Sequence, residues 1–80
     1  MYLDGKKIKT HMKNLGMDHL QFAVFAKVSA STIWSIISKE ETNTTSEVNL
    51  RIFRLLYHEG KVKDISEILD MRKIKLAKEQ

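Results

Sequence analysis

No cysteine and no proline occur in the chain, and only three of its 80 residues are glycine. The first absence excludes disulfides and thiolate metal sites, and nothing requires an oxidising compartment. The second removes the strongest helix breaker. No segment approaches the run of about 20 apolar residues that a membrane helix needs. The opening stretch MYLDGKKIKTHMK lacks the apolar centre of a signal peptide. Asn43-Thr44-Thr45 fits a glycosylation sequon, which without a secretory signal reads as a chance match. Catalytic patterns are missing too: there is no glycine-rich phosphate loop and no nucleophile paired with a base. His11, His19 and His58 are widely separated and have no carboxylate at ligand spacing, and Glu40 and Glu41 read as solvated loop charges. The expectation is a soluble cytoplasmic protein that is not an enzyme, with no metal, no cofactor and no membrane partner.

What is present favours helix. Lys, Leu, Ile and Glu are frequent, and strand-like alternation is not sustained anywhere. Residues 1–80 suit one small domain, which buries only about 60% of its unfolded surface. The net charge of +4 is uneven: +3 over residues 1–17, +1 over 18–39, −2 over 40–60 and +2 over 61–80. A mild basic excess suits a polyanion, but both ends hold it while the middle does not.

Five helices are expected. The first spans about Asp4 to Asn14, with Ile8, Met12 and Leu15 on one side and Gly16 as its stop. Asp18 and Gln21 form a capping-box pattern for a second, ending near Ala26. Ser29 caps a third, ending near Ser38. KEETNTTS is a polar loop, after which Thr44 and Glu47 fit a capping box for a fourth helix ending at Gly60. Asp64 and Glu67 open a fifth, with Ile65, Ile68, Leu69 and Leu76 apolar. The expected core is Ile8, Met12, Phe22, Ala23, Ala26, Ile33, Ile36, Ile52, Leu55 and Leu56.

Two short helices joined by a tight turn make a helix-turn-helix unit. The stretch HLQFAVFAKVSASTIWSIIS, residues 19–38, resembles that unit in the lambda repressor and Cro family, the Xre-type regulators. Phe22 and Ala23 fill its apolar-then-alanine positions, Ala26 and Val28 flank the turn, and Ile33 and Ile36 are the branched residues of its second helix. The resemblance spans roughly residues 3–70. It implies an all-α, five-helix lambda-repressor-like domain followed by a basic tail, residues 71–80. Where the family usually has glycine at the turn, this chain has Lys27, at a cost of ~1 kcal/mol if the left-handed geometry is kept.

The resemblance also implies a DNA-binding transcriptional regulator of bacterial or phage type, with the third helix in the major groove of double-stranded DNA. Ser29, Ala30, Ser31, Trp34, Ser35 and Ser38 would then lie nearest the bases. His19, Lys27, Lys39, Asn43, Thr44 and Thr45 would meet phosphates. The outward face of the third helix, Ser31, Trp34, Ser35 and Ser38, holds no Arg, Gln or Asn, the usual bidentate readers of base edges. Residues 18–46 sum to −1, whereas phosphate contact draws on basic residues. Those two facts motivate an alternative, an interaction module that acts on another regulator through the Trp34 face. Trp34 itself has three readings: a groove contact, an interface anchor, or partial burial against the loop at 39–46. His19 is either a phosphate donor at a helix N-terminus or an ordinary surface histidine. The fifth helix offers Ile65, Ile68, Leu69 and Ile74 to a weak homodimer, or else packs on its own core. The tail is either a DNA or membrane contact or a solvated helix end.

Overall fold

Helix starts along the chain fall where a side-chain oxygen takes amides that have no intrahelical partner. The computed structural model describes residues 2–39 and 41–70. A short strand β1, Tyr2–Asp4, leads directly into helix α1, Gly5–Leu15, and the Asp4 carboxylate accepts from the amides of Lys6 and Lys7. Gly16 ends α1 with a φ of 68°. Helix α2, His19–Ala26, opens on the Asp18–Gln21 capping box, with both of its hydrogen bonds formed. Helix α3, Ala30–Ser38, is capped by Ser29. Strand β2 follows at Glu41–Asn43, then helix α4 at Ser46–His58, with Gly60 at a φ of 71° just beyond its end.

The interior is where apolar periodicity puts it. Ile8, Met12, Phe22, Ala23, Ala26, Ile33, Ile36, Ile52 and Leu56 are buried, while Leu55 is half-buried. Leu3, Val62, Ile68 and Leu69 join the same core. The small residues Ala23 and Ala26 keep the inner side of α2 thin, so neighbouring helices approach it closely.

Three expectations are corrected. The chain is mostly helical, but it also holds a two-stranded antiparallel sheet in which Leu3 pairs with Thr42, and part of the expected polar loop is its second strand. Three-residue strands are too short to show alternation in sequence. Next, α4 is capped by Thr45 rather than Thr44. The Thr44 hydroxyl donates instead to Oδ1 of Asn49, a buried side chain on α4.

Finally, the described residues contain four α-helices, not five. The Asp64–Glu67 capping box does form, yet it closes only one 3₁₀ turn, Ile65–Glu67. The backbone then runs extended beside β1. Asp4 N–H donates to the Ile68 carbonyl at 2.9 Å, and Asp70 N–H donates to the Tyr2 carbonyl at 2.8 Å. Leu69 faces Leu3 across this bridge. Ile68 and Leu69 are both buried beside β1. The surface expected to pair two copies is therefore turned inward at Ile68 and Leu69, with Ile65 half-buried. Ile74, Leu76 and the basic tail lie outside the described residues.

One glycine lies against the end of α3. A Cβ on Gly5 would stand 2.2 Å from the Lys39 carbonyl oxygen and 2.3 Å from that of Ile36. The first turn of α1 is thus pressed against the C-terminal end of α3, at a distance only glycine allows.

Candidate nucleic-acid interface

Helix α3 has two unlike sides. Ile33 and Ile36 are buried, and Ser31, Trp34 and Ser38 are exposed, with Ser35 and Ala30 half-buried. The fold therefore brings Ser31, Trp34, Ser35 and Ser38 onto one outward face. Several of its hydroxyls are already engaged. Ser29 Oγ accepts from the Thr32 amide at 3.3 Å and is hydrogen-bonded to Thr32 Oγ1 at 2.7 Å. Ser38 Oγ donates to the Trp34 carbonyl at 2.7 Å. Ser31 Oγ has only a long 3.4 Å contact to Ser29, which leaves it the most available hydroxyl described on this face.

Trp34 is 56% exposed. Its indole does have a neighbour: the His19 ring lies 5.0 Å away, tilted by 54°. His19 is the first residue of α2 and is half-buried. Two expected site residues from different helices are thereby joined in a tilted ring contact.

Exposed lysines flank α3. Lys39 is its C-cap, and Lys27 precedes Ser29 at the other end. Neither forms an ion pair among the described residues. Lys27 has φ 60° and ψ 39°, the left-handed geometry expected at the turn, and among the described residues no other non-glycine has a positive φ. Its carbonyl accepts from Nη1 of Arg51 at 2.7 Å, and Nη2 of the same side chain meets Glu47 at 2.6 Å. Arg51 therefore clamps the turn to α4. That role has no local sequence signal, because the partners lie 24 positions apart.

Of the three residues expected at phosphates from the loop, Thr45 is exposed at the N-terminus of α4, where amides favour anions. Thr44 is half-buried and bound to Asn49. The backbone of Asn43 is held in β2 opposite Tyr2. No family model matches the chain, and no curated protein or solved structure is significantly similar to it.

The outer surface of α2 adds a feature that the core pattern hid. Leu20, Val24 and Phe25 are 56%, 75% and 61% exposed. The signal was present in the sequence: HLQFAVFA is apolar almost all round, and one helix cannot bury every side against a small core.

The perturbed titrating groups among the described residues lie away from α3. Burial holds the His11 imidazole below its ordinary range. The Glu67 carboxylate opposes that shift, and Lys61 and Lys7 add to it. His11 Nδ1 is buried and has no hydrogen-bond partner among the described residues. The Asp64 carboxyl is lowered by the Ser66 amide, and that of Glu67 by the amides of Lys63 and Asp64. Both belong to the cap of the 3₁₀ turn. No helix among the described residues is long and apolar enough to cross a membrane.

Proposed function

We propose that the chain is a DNA-binding transcriptional regulator of bacterial or phage type, similar to lambda repressor and Cro, with α3 entering the major groove. The observation that carries this reading is the outer face of α3, with Ser31 and Trp34 exposed, flanked by exposed lysines and following a left-handed turn. Ser31 and Ser35 would meet base edges, and Trp34 a thymine methyl or a sugar. Lys27, Lys39, Thr45 and the His19 edge would meet phosphates. Without a bidentate Arg, Asn or Gln on this face, readout is permissive in sequence. A mobility-shift assay at low salt with promoter DNA from the source organism tests it. Binding should be lost in the double variant Trp34→Ala, Ser31→Ala. Absence of binding, or binding indifferent to that variant, rejects the proposal.

A second reading draws on the apolar side chains. Trp34 on α3 and Leu20 and Val24 on α2 are all more than half exposed, and tryptophan is common among interface hot spots. In this reading the fold acts on another regulator through the Trp34 face. Salt separates the two: DNA binding weakens steeply as salt rises, and an apolar interface does not.

A further inference from the structure

A second surface is formed by the C-terminal end of α2 and the second half of α4. It is an open cleft of about 670 Å³. Its apolar part is Phe25 and Tyr57, 61% and 57% exposed, above a half-buried Leu55. Its charged part is Lys27, Arg51 and Arg54 against Glu59, three positive charges and one negative. Arg51 is already held by Glu47 and the turn carbonyl, so its guanidinium is fixed in place. Arg54 and Lys27 form no ion pair among the described residues. A soluble surface that leaves two aromatic rings beside unpaired cations is built to be covered by something of opposite charge.

We infer that this cleft receives an acidic, amphipathic segment of a protein partner. Its apolar side chains would lie on Phe25, Leu55 and Tyr57, and its carboxylates would meet Arg54 and Lys27. The chain's own tail is a poor occupant, because residues 71–80 carry Arg72, Lys73, Lys75 and Lys78 against Glu79, the same sign as the cleft. No residue of α3 lines the cleft. Lys27 is the one residue common to this cleft and to the proposed DNA face. The inference does not rest on the DNA-binding reading.

The test is fluorescence anisotropy with a labelled helical peptide that carries Asp and Glu on one face and Leu and Phe on the other. A control peptide has Lys in place of every acid. The acidic peptide should bind and the control should not. Phe25→Ser and Arg54→Glu should each weaken binding about tenfold or more. Both sites are exposed, and circular dichroism checks that each variant folds. Trp34→Ala, and Lys9→Glu as an equal charge change on α1, should leave binding unchanged. No binding, equal binding of the two peptides, or binding indifferent to Phe25→Ser and Arg54→Glu would overturn the inference. Two further results would reassign the cleft. If Arg54→Glu weakens duplex DNA and not the peptide, the cleft belongs to nucleic acid. If sedimentation finds a dimer that Phe25→Ser dissociates, its occupant is a second copy.

Discussion

Lys27 holds a backbone geometry that costs an L-residue roughly 1–2 kcal/mol, and its carbonyl is where Arg51 ties the turn to α4. Lys27→Gly keeps that carbonyl and removes the strain. Some of the gain is offset because glycine gives the unfolded chain more freedom. The variant should be more stable by up to about 1 kcal/mol, read as a higher urea midpoint. A lower midpoint would show that the lysine side chain supports the fold. Gly5 makes the opposite prediction. Any Cβ there meets two backbone carbonyls, so Gly5→Ala should cost about 1–3 kcal/mol in the same measurement. These two residues also mark what single positions reveal. The left-handed turn at Lys27 was legible, because the resemblance places a glycine there. The close approach at Gly5 was not, since it depends on where the end of α3 comes to rest.

Three of the four α-helices were legible twice, by apolar spacing and by a cap or stop residue, whereas α4 was legible by spacing and its cap lies one residue beyond the expected Thr44. Asp18 with Gln21, Ser29 and Gly16 all do what their types and positions suggest. The fifth element misled for the same reason. Its capping box is real, but a cap only starts a helix, and β1 competes for the backbone that follows. What favoured β1 was Leu3, one buried residue with no local pattern around it. The 3₁₀ turn packs near His11, and stability should therefore respond to pH in two windows. The His11 imidazole is lowered in the folded chain, so the unfolded chain binds more protons as pH falls through about 6.5. Stability is then full above that value and declines below it. His11→Phe should flatten this part of a melting-temperature profile. Asp64 and Glu67 are also lowered. Their contribution is present above ordinary carboxyl values and is lost as pH falls further towards their folded values, below about 4. Glu67→Gln should shrink that second loss and leave the first. A profile flat from pH 7 to 5 would contradict the placement of His11.

At the scale of the whole molecule, the candidate site was half legible. The outward face of α3 and its flanking lysines follow from helical spacing alone. The tilted Trp34–His19 ring contact, the Arg51 clamp and the cleft beside Phe25 each join residues from different helices, and no local pattern reports such contacts. The charge distribution bears on function more than on fold. With residues 18–46 at −1, only a few phosphate contacts are on offer, so affinity should be modest. Each neutralised phosphate contributes about 0.9 to the slope of log affinity against log salt. Affinity for duplex promoter DNA across a salt series therefore tests the central claim most directly. The account predicts binding at low salt with a slope of about −2, from Lys27 and Lys39, shallower by about 1 in Lys27→Ala or Lys39→Ala, and no binding in the Trp34→Ala, Ser31→Ala variant. A chain that fails to bind at the lowest salt, or whose slope is unchanged in both lysine variants, would contradict it.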